Sequence, residues 1–332
     1  MLMLNLAGTL SRLVRSGLET ALQHATLGPR RPAWTWRDES LARFIQGEFA
    51  DAPADPAVLR RRMEAMALPP LLRPWVRCID EQVAGMKARW YVPRSTLKKT
   101  TDGPVLLYLH GGGYVFGSLK THADLIVRLA VASGVPTLAV EYRLAPEHPY
   151  PAALDDCVAA YHWLLRRGVD PKRLVVAGES AGGGLTLTSL CKVRDEGDPL
   201  PAAAVGISPW CDLAMSMPSI DTNAPYDFTN RRQASIWGSW YRAGADPRHP
   251  EISPLYADLA GLPPLLLQVG SAEMLADEVA ALAHRAEQAG VEVTLETWDH
   301  MFHIWHFAAL VLPQGAAAID HVGRFVRYHT SR

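Results

Sequence analysis

The 332-residue sequence contains few cysteines, almost no net charge and no long apolar run. Four cysteines without a C-x-x-C pair are too few for a disulfide-stabilised secreted domain, so we expect reduced thiols and a cytoplasmic protein. A formal net charge of -1 argues against a nucleic-acid partner, since such proteins usually carry a basic surface. No stretch reaches the roughly 18 apolar residues of a membrane-spanning helix.

The apolar N-terminal region, residues 1–27, differs from a secretory signal because Arg12, Arg15 and Glu19 interrupt it. Its apolar side chains recur at helical spacing and predict an amphipathic helix; they are Leu6, Leu10, Leu13, Val14 and Leu18. Such a helix could make peripheral contact with a membrane surface or could cover the protein's own pocket. We favour the covering role, because membrane-surface helices usually carry more lysine and arginine.

From residue 76 onward, apolar runs alternate with helical patterns, which indicates a mostly parallel sheet covered on both faces. Two alternating segments, Arg77–Val83 and Lys87–Val92, predict an antiparallel hairpin at the sheet edge. The other predicted strands are Val105–Leu109, Val135–Val140, Leu174–Ala177, Ala203–Ile207, Leu265–Val269 and Val291–Thr297. The predicted helices between and after them are His122–Ala132, Ala152–Arg167, Leu185–Arg194, Asp277–Ala289 and Gly315–Tyr328.

Two segments fall outside this alternation. Residues 1–75 predict helices without strands, and residues 211–250 form an aromatic-rich insertion between two strands. An insertion at the carboxyl edge of a parallel sheet lies where ligands bind in such folds, so it can both pack on the core and line a pocket. The core itself then comprises residues 76–210 and 251–332.

The segment Gly178–Gly182 reads Gly-x-Ser-x-Gly and stands between a predicted strand and a predicted helix. In that position the pattern is typical of a nucleophile elbow, where Ser180 is exposed on a sharp turn and the glycines avoid clashes with the crossing backbone. A glycine-rich turn without chemistry would have the same five residues. The partners that a serine nucleophile needs therefore decide between the two interpretations.

The first such partner is a set of donors for an oxyanion. His110–Gly113 directly follows a predicted strand, and its successive glycines leave backbone amides open to a carbonyl oxygen. We expect Gly111 and Gly112 to supply two amides, and Ala181, just after the serine, to supply a third. His110 precedes the serine, and we expect it to brace the glycine loop by hydrogen bonding.

In proteins with a nucleophile elbow, the acid and the base follow the serine in the order Ser, acid, His. Glu273 and Asp277 follow the strand Leu265–Val269; Glu273 is nearer the strand end, while either carboxylate could simply stabilise the start of a helix. The candidates for the base follow the last strand and are His300, His303 and His306. Three histidines could also bind a metal, but only Asp299 adds a ligand, so we expect no metal and no cofactor.

Four motifs in this order resemble the hormone-sensitive-lipase-like branch of bacterial esterases in the α/β-hydrolase superfamily: His110–Tyr114, Tyr142–Asp156, Gly178–Gly183 and Ser208–Asp212. The resemblance covers roughly residues 76–330. It implies the α/β-hydrolase fold, with a mostly parallel central sheet, helices on both faces and a helical cap from residues 1–75 and 211–250. In this family the long motif Tyr142–Asp156 braces the oxyanion loop and takes no part in the chemistry.

The resemblance also implies roles for single residues. The family's Asp-Pro-Leu-x-Asp segment reads Glu273–Asp277 here, which makes Glu273 the acid and leaves Asp277 as the alternative. Its Met-x-His-Gly-Phe segment reads Met301–Trp305, which makes His303 the base. We expect Tyr114 and Trp210 to contact the substrate. Glu179 stands where many members carry aspartate, which alters the hydrogen bonds beside Ser180.

The expected activity is that of a serine carboxylesterase acting on short-to-medium acyl esters through an acyl-enzyme. A lactone, amide or carbamate hydrolase with the same triad is the alternative, because those reactions share this chemistry. A non-catalytic ligand-binding receptor on this fold is a further alternative, against which His303 stands. The last strand, Val291–Thr297, predicts an exposed sheet edge through which two copies could form a homodimer.

Overall fold

An eight-stranded sheet forms the centre of the molecule. The computed structural model describes residues 2–50, 55–67, 69–96 and 101–331. The strands are β1 Val76–Val83, β2 Met86–Pro93, β3 Val105–Leu109, β4 Thr137–Val140, β5 Leu174–Glu179, β6 Ala203–Ile207, β7 Leu265–Gly270 and β8 Val293–Trp298. Each of them overlaps a strand predicted from the sequence.

The strand order across the sheet is β1-β2-β4-β3-β5-β6-β7-β8. The pairs β1–β2 and β2–β4 are antiparallel, and all the other pairs are parallel. Every residue of β3 to β7 is buried, as expected for parallel strands covered on both faces. Because β3, β5, β6 and β7 run the same way, their carboxyl ends meet at one edge of the sheet.

Ten α-helices surround this sheet in the described ranges. They are α1 Leu2–Thr26, α2 Trp36–Ala50, α3 Pro56–Met66, α4 Ala123–Ser133, α5 Ala152–Arg166, α6 Ala181–Asp195, α7 Ser219–Thr222, α8 Arg231–Arg242, α9 Ala276–Gln288 and α10 Pro313–Thr330. Leu106 and Tyr108 of β3 share one apolar cluster with side chains of α4 and α10. Val105 and Leu107 point to the other face and share a second cluster with side chains of α5, α6 and α9. The alternation of side chains along β3 thus produces two separate core layers.

The N-terminal helices contact each other and the insertion. Ser16 on α1 donates to the carbonyl oxygen of Ser40 on α2 at 2.7 Å. Gln46 on α2 donates to the carbonyl oxygens of Pro225 and Asp227, both of which belong to the insertion. The insertion carries α7 and α8; its residues 219–228 are called the strap below.

Helix α1 leaves part of its apolar side exposed. Leu18 and Leu22 each retain 68% of their accessible surface. The predicted residues Leu6 and Leu10 lie outside the part of the chain whose side chains are described. None of the helices in the described ranges combines the length and the apolar character needed to cross a bilayer.

Candidate active site

Ser180 lies on the sharp turn between β5 and α6. Its backbone adopts φ 53° and ψ -121°, a conformation that residues other than glycine rarely take and that is often found at functional sites. A Cβ at Gly178 would overlap the carbonyl of Gly182, and a Cβ at Gly182 would overlap the carbonyl oxygen of Leu109. The two flanking glycines are therefore required by the close approach of the backbone, as the elbow pattern predicts.

A continuous chain of hydrogen bonds joins Ser180, His303 and Glu273. The Oγ of Ser180 lies 2.9 Å from Nε2 of His303, and Nδ1 of His303 lies 2.8 Å from Oε2 of Glu273. A carboxylate only accepts, so the Nδ1–H donates to Glu273 and leaves Nε2 to accept from the serine hydroxyl. Burial disfavours the protonated imidazole, but the hydrogen bond and charge of Glu273 outweigh it and raise the pKa of His303.

The two candidate acids have different partners. Glu273 is fully buried, and its second oxygen, Oε1, accepts from Ser208 Oγ at 2.7 Å and from Gly270 N at 2.6 Å. The carboxylate of Asp277 accepts instead from the backbone N–H of Ser219 at 2.8 Å. Glu273 therefore binds the imidazole, while Asp277 binds Ser219, the first residue of the strap.

The neighbouring histidines are bound elsewhere. His306 is buried and donates to Oε1 of Gln268 at 2.9 Å, and burial lowers the pKa of His306 to about 3. The carbonyl oxygen of His300 accepts from the indole of Trp34 at 2.7 Å. His110 donates through Nδ1 to the carbonyl oxygen of Gly111 at 2.8 Å, so it holds the glycine loop as expected.

The glycine loop differs from the prediction at one residue. The N–H of Gly111 donates to Oε1 of Glu179, so this amide is occupied and is not available to an oxyanion. In the described part of the chain, no backbone hydrogen bond uses the N–H of Gly112 or Gly113, and both glycines line the cavity beside Ser180. Gly113 therefore replaces Gly111 as a candidate donor. The third glycine of the motif was the signal that could have indicated it.

Glu179 explains why Gly111 is occupied. Its buried carboxylate accepts from the hydroxyl of Tyr108 and from Gly111 N, and it lies 2.8 Å from Nε2 of His122. Burial alone would raise the pKa of Glu179, but His122 and Tyr108 outweigh it and lower that pKa. The carboxylate therefore stays charged and fixes the glycine loop against the elbow. His122 lies 57 positions from its partner and belongs to no motif, so the sequence gives no signal for this pair.

A cavity of about 330 Å³ opens beside Ser180 and His303. Trp210, one of the two expected substrate contacts, lines this cavity. Tyr114 does not line the cavity: it is buried and stacks on Tyr241 with ring centroids 3.8 Å apart. The expected contact of Tyr114 with substrate is thus not supported, because that ring is used in packing. The apolar wall includes Phe49, Met63, Phe116, Phe228, Trp237 and Leu275.

The mostly parallel sheet agrees with the comparison to known families. The family model described as alpha/beta hydrolase fold matches residues 106–307. The chain belongs to the α/β-hydrolase family. The match includes the elbow and the predicted acid and base, and it stops short of the N-terminal helices.

Three similar proteins indicate the branch of the family and its activity. An acetyl-hydrolase of Streptomyces hygroscopicus is 49% identical over 230 residues, 69% of this chain and 77% of the relative. The carboxylesterase NlhH of Mycobacterium tuberculosis is 34% identical over 273 residues, 79% of this chain and 85% of the relative. The crystal structure of an esterase from the bacterial hormone-sensitive lipase family superposes with a TM-score of 0.84 at 41% identity, covering 90% of this chain and 99% of that one. This α/β-hydrolase is a carboxylic ester hydrolase of the hormone-sensitive lipase family, as the sequence motifs predicted.

Proposed function

We propose that this hydrolase is a serine carboxylesterase that acts on short-to-medium acyl esters through the triad Ser180, His303 and Glu273. The observation that carries the proposal is the hydrogen-bond chain from Glu273 through His303 to Ser180, at the wall of an apolar cavity. A nucleophile hydrogen-bonded to a base, which a third group orients, is the arrangement that acyl transfer requires.

In this mechanism Ser180 attacks the ester carbonyl while Nε2 of His303 takes the hydroxyl proton. Glu273 keeps the Nδ1 proton in place and stabilises the imidazolium that forms. The imidazolium then protonates the departing alcohol, which leaves the acyl group on Ser180. A water molecule attacks that acyl-enzyme, and His303 again takes the proton.

The negative oxygen of the tetrahedral intermediate needs donors that are already in position. We assign this role to the amides of Gly112, Gly113 and Ala181. Ala181 is the first residue of α6, where backbone N–H groups have no partner within the helix. In a protease, the loss of one such donor costs about 2.7–4 kcal/mol of transition-state stabilisation.

Residues 1–75 and 211–250 are proposed to form a cap over this site, on a core formed by residues 76–210 and 251–332. Support comes from the cavity wall, to which both segments contribute side chains. Ile45 of α2 and Met66 of α3 belong to the first segment, and Trp237 of α8 belongs to the second. Among the described side chains, those of α2 and α3 line the cavity, and we assign the covering role to these two helices; the side chains of residues 2–10 of α1 lie outside the described part of the chain.

A series of p-nitrophenyl esters of increasing acyl length tests this substrate range. The cavity is near the lower end of the roughly 300–1,000 Å³ found for ligand pockets, so kcat/KM should be highest for short and medium chains and fall for palmitate. Faster turnover of emulsified long-chain esters than of soluble short ones would contradict the proposal. Lactones, amides and carbamates belong in the same series, because the triad could also act on them.

Strand β8 is proposed to support a homodimer. It is the last strand of the sheet, and its residues Thr294 and Thr297 are exposed. An unpaired strand edge offers backbone donors and acceptors to the same edge of a second copy. Light scattering should then give twice the 36.4 kDa mass of one chain; a single-chain mass across the accessible concentration range would contradict the pairing.

A further inference from the structure

The strap is fastened to the loop that carries Glu273. Ser219 donates through its hydroxyl to the carbonyl oxygen of Met274 at 2.7 Å, and its N–H donates to Asp277 at 2.8 Å. Asn223 donates through its side-chain amide to the carbonyl oxygen of Glu273 at 2.8 Å. The insertion is therefore joined to the backbone of the proposed acid itself, beyond forming a wall of the cavity.

At the far end of the strap, Asp227 contacts the backbones on both sides of the triad. It is 2% exposed, and its Oδ2 accepts from the N–H of Met274, next to Glu273, at 2.7 Å. Its Oδ1 accepts from the N–H of Phe228 at 2.8 Å and from the N–H of His303 at 3.2 Å. The ring of Phe228 lies 5.1 Å from the imidazole of His303, between centroids. Asp227 thus holds the backbone of His303, and Phe228 packs beside its ring.

We propose that Asp227 is a positioning residue for the base, which it serves in two ways: its carboxylate holds the backbones of His303 and Met274 in register, and its negative charge favours the imidazolium formed during acyl transfer. This inference rests on the proposed function, because it assumes that His303 is the base. It assigns to the insertion a part in the chemistry in addition to enclosing the substrate.

Burial makes a charged carboxylate unfavourable at this position, and it raises the pKa of Asp227 to about 6. A neutral amide avoids that penalty, but it has a single acceptor oxygen and could take the N–H bonds on only one side of this position. A carboxylate differs from the amide by its second acceptor oxygen and by its charge, and the charge of Asp227 also contributes to raising the pKa of His303. The charge of Asp227 therefore acts on the protonation of the His303 imidazole, and the pH dependence of the activity can measure this effect.

Among the described residues, four titratable groups face His303 from the elements packed around it. Glu273 follows β7, Asp227 lies on the strap, Glu179 ends β5, and His306 lies on the same loop as His303. Glu273 is bonded to the ring, and Glu179 is paired with the imidazole of His122. His306 is neutral near pH 7, because its pKa is about 3. Replacement of Asp227 therefore changes the charge around His303 while the other three groups stay in place.

The test is the pH dependence of kcat/KM for D227N beside the unsubstituted enzyme. The base acts when neutral, so activity falls as the pH drops through the pKa of His303 in the free enzyme. Removal of a nearby negative charge lowers that pKa, and the acid limb of the profile should move to lower pH by about half a unit or more. The kcat on the plateau should fall several-fold, because the N–H of Met274 loses its acceptor.

The matched control is D221N, which makes the same change on the same strap. The carboxylate of Asp221 is exposed and paired with Arg231 at 2.7 Å, so its loss should leave the acid limb in place. Should D227N not accumulate as folded protein, D227S provides a second neutral side chain, and the same shift is expected.

A D227N or D227S profile whose acid limb coincides with that of the unsubstituted enzyme would overturn the inference, even if the rate were lower at every pH. That result would leave Asp227 with a purely structural role. Failure of the proposed function has a different signature: Ser180 would not be labelled by a fluorophosphonate probe. The two failures are therefore distinguishable.

Discussion

Replacement of Ser180 by alanine should lower kcat by roughly 10⁴–10⁶-fold with the protein still folded, because no acyl-enzyme can form without the hydroxyl. The residual rate would come from the oxyanion donors and substrate binding alone. Hydrolysis of p-nitrophenyl butyrate measures the loss, and labelling with a fluorophosphonate probe should disappear together with it. The unfolding temperature should change little, since the hydroxyl makes its hydrogen bond only to His303 among the described residues.

A matched control for this change is Ser189→Ala. Ser189 lies on α6, is buried, and its hydroxyl has no hydrogen-bond partner among the described residues. Its removal should leave kcat and labelling within about twofold, because no hydrogen bond is lost. If Ser180→Ala kept as much activity as the control Ser189→Ala, Ser180 would not be the nucleophile.

The sheet and the elbow could be predicted because their signals are local. A parallel strand that is buried on both faces has to be apolar at nearly every position, and Val105–Leu109 and Ala203–Ile207 match the observed strands at both ends. The flanking glycines of Ser180 are likewise dictated by backbone that passes within contact distance. In both cases a few consecutive residues contain the physical reason for the structure.

The finer parts of the site depend on partners far apart in the sequence. Whether a glycine amide is free depends on Glu179, which takes the N–H of Gly111 from 68 positions away. Asp227 reaches His303 across 76 positions, from an insertion whose composition indicates only that it is aromatic and polar. Tyr114 belongs to a recognisable motif, yet its ring is used in stacking on Tyr241. A motif identifies which residues are present, while their hydrogen-bond partners come from packing.

The second large loss of kcat is expected at the acid of the triad, for which Glu273 and Asp277 are the candidates. Glu273→Gln should lower kcat by about 10³–10⁴-fold, comparable to the loss seen when the triad acid of a serine protease becomes an amide. The reason lies in the partners of Oε1, which accepts from Ser208 and from the N–H of Gly270. The amide oxygen of glutamine has to stay on that side to accept these bonds, so its NH₂ group faces Nδ1 of His303.

An NH₂ group can only donate, so it would force Nδ1 of His303 to accept and would move the ring proton to Nε2. In that tautomer the imidazole cannot take the proton of Ser180.

Asp277→Asn is the matched amide substitution four residues along the chain: its oxygen can still accept from the N–H of Ser219, so kcat should remain within a few-fold. Steady-state kinetics of the two purified variants test this assignment. A large loss of kcat in Asp277→Asn together with a small loss in Glu273→Gln would assign the acid to Asp277. The structure argues for the opposite order, because Glu273 lies 2.8 Å from the imidazole, whereas Asp277 holds the strap.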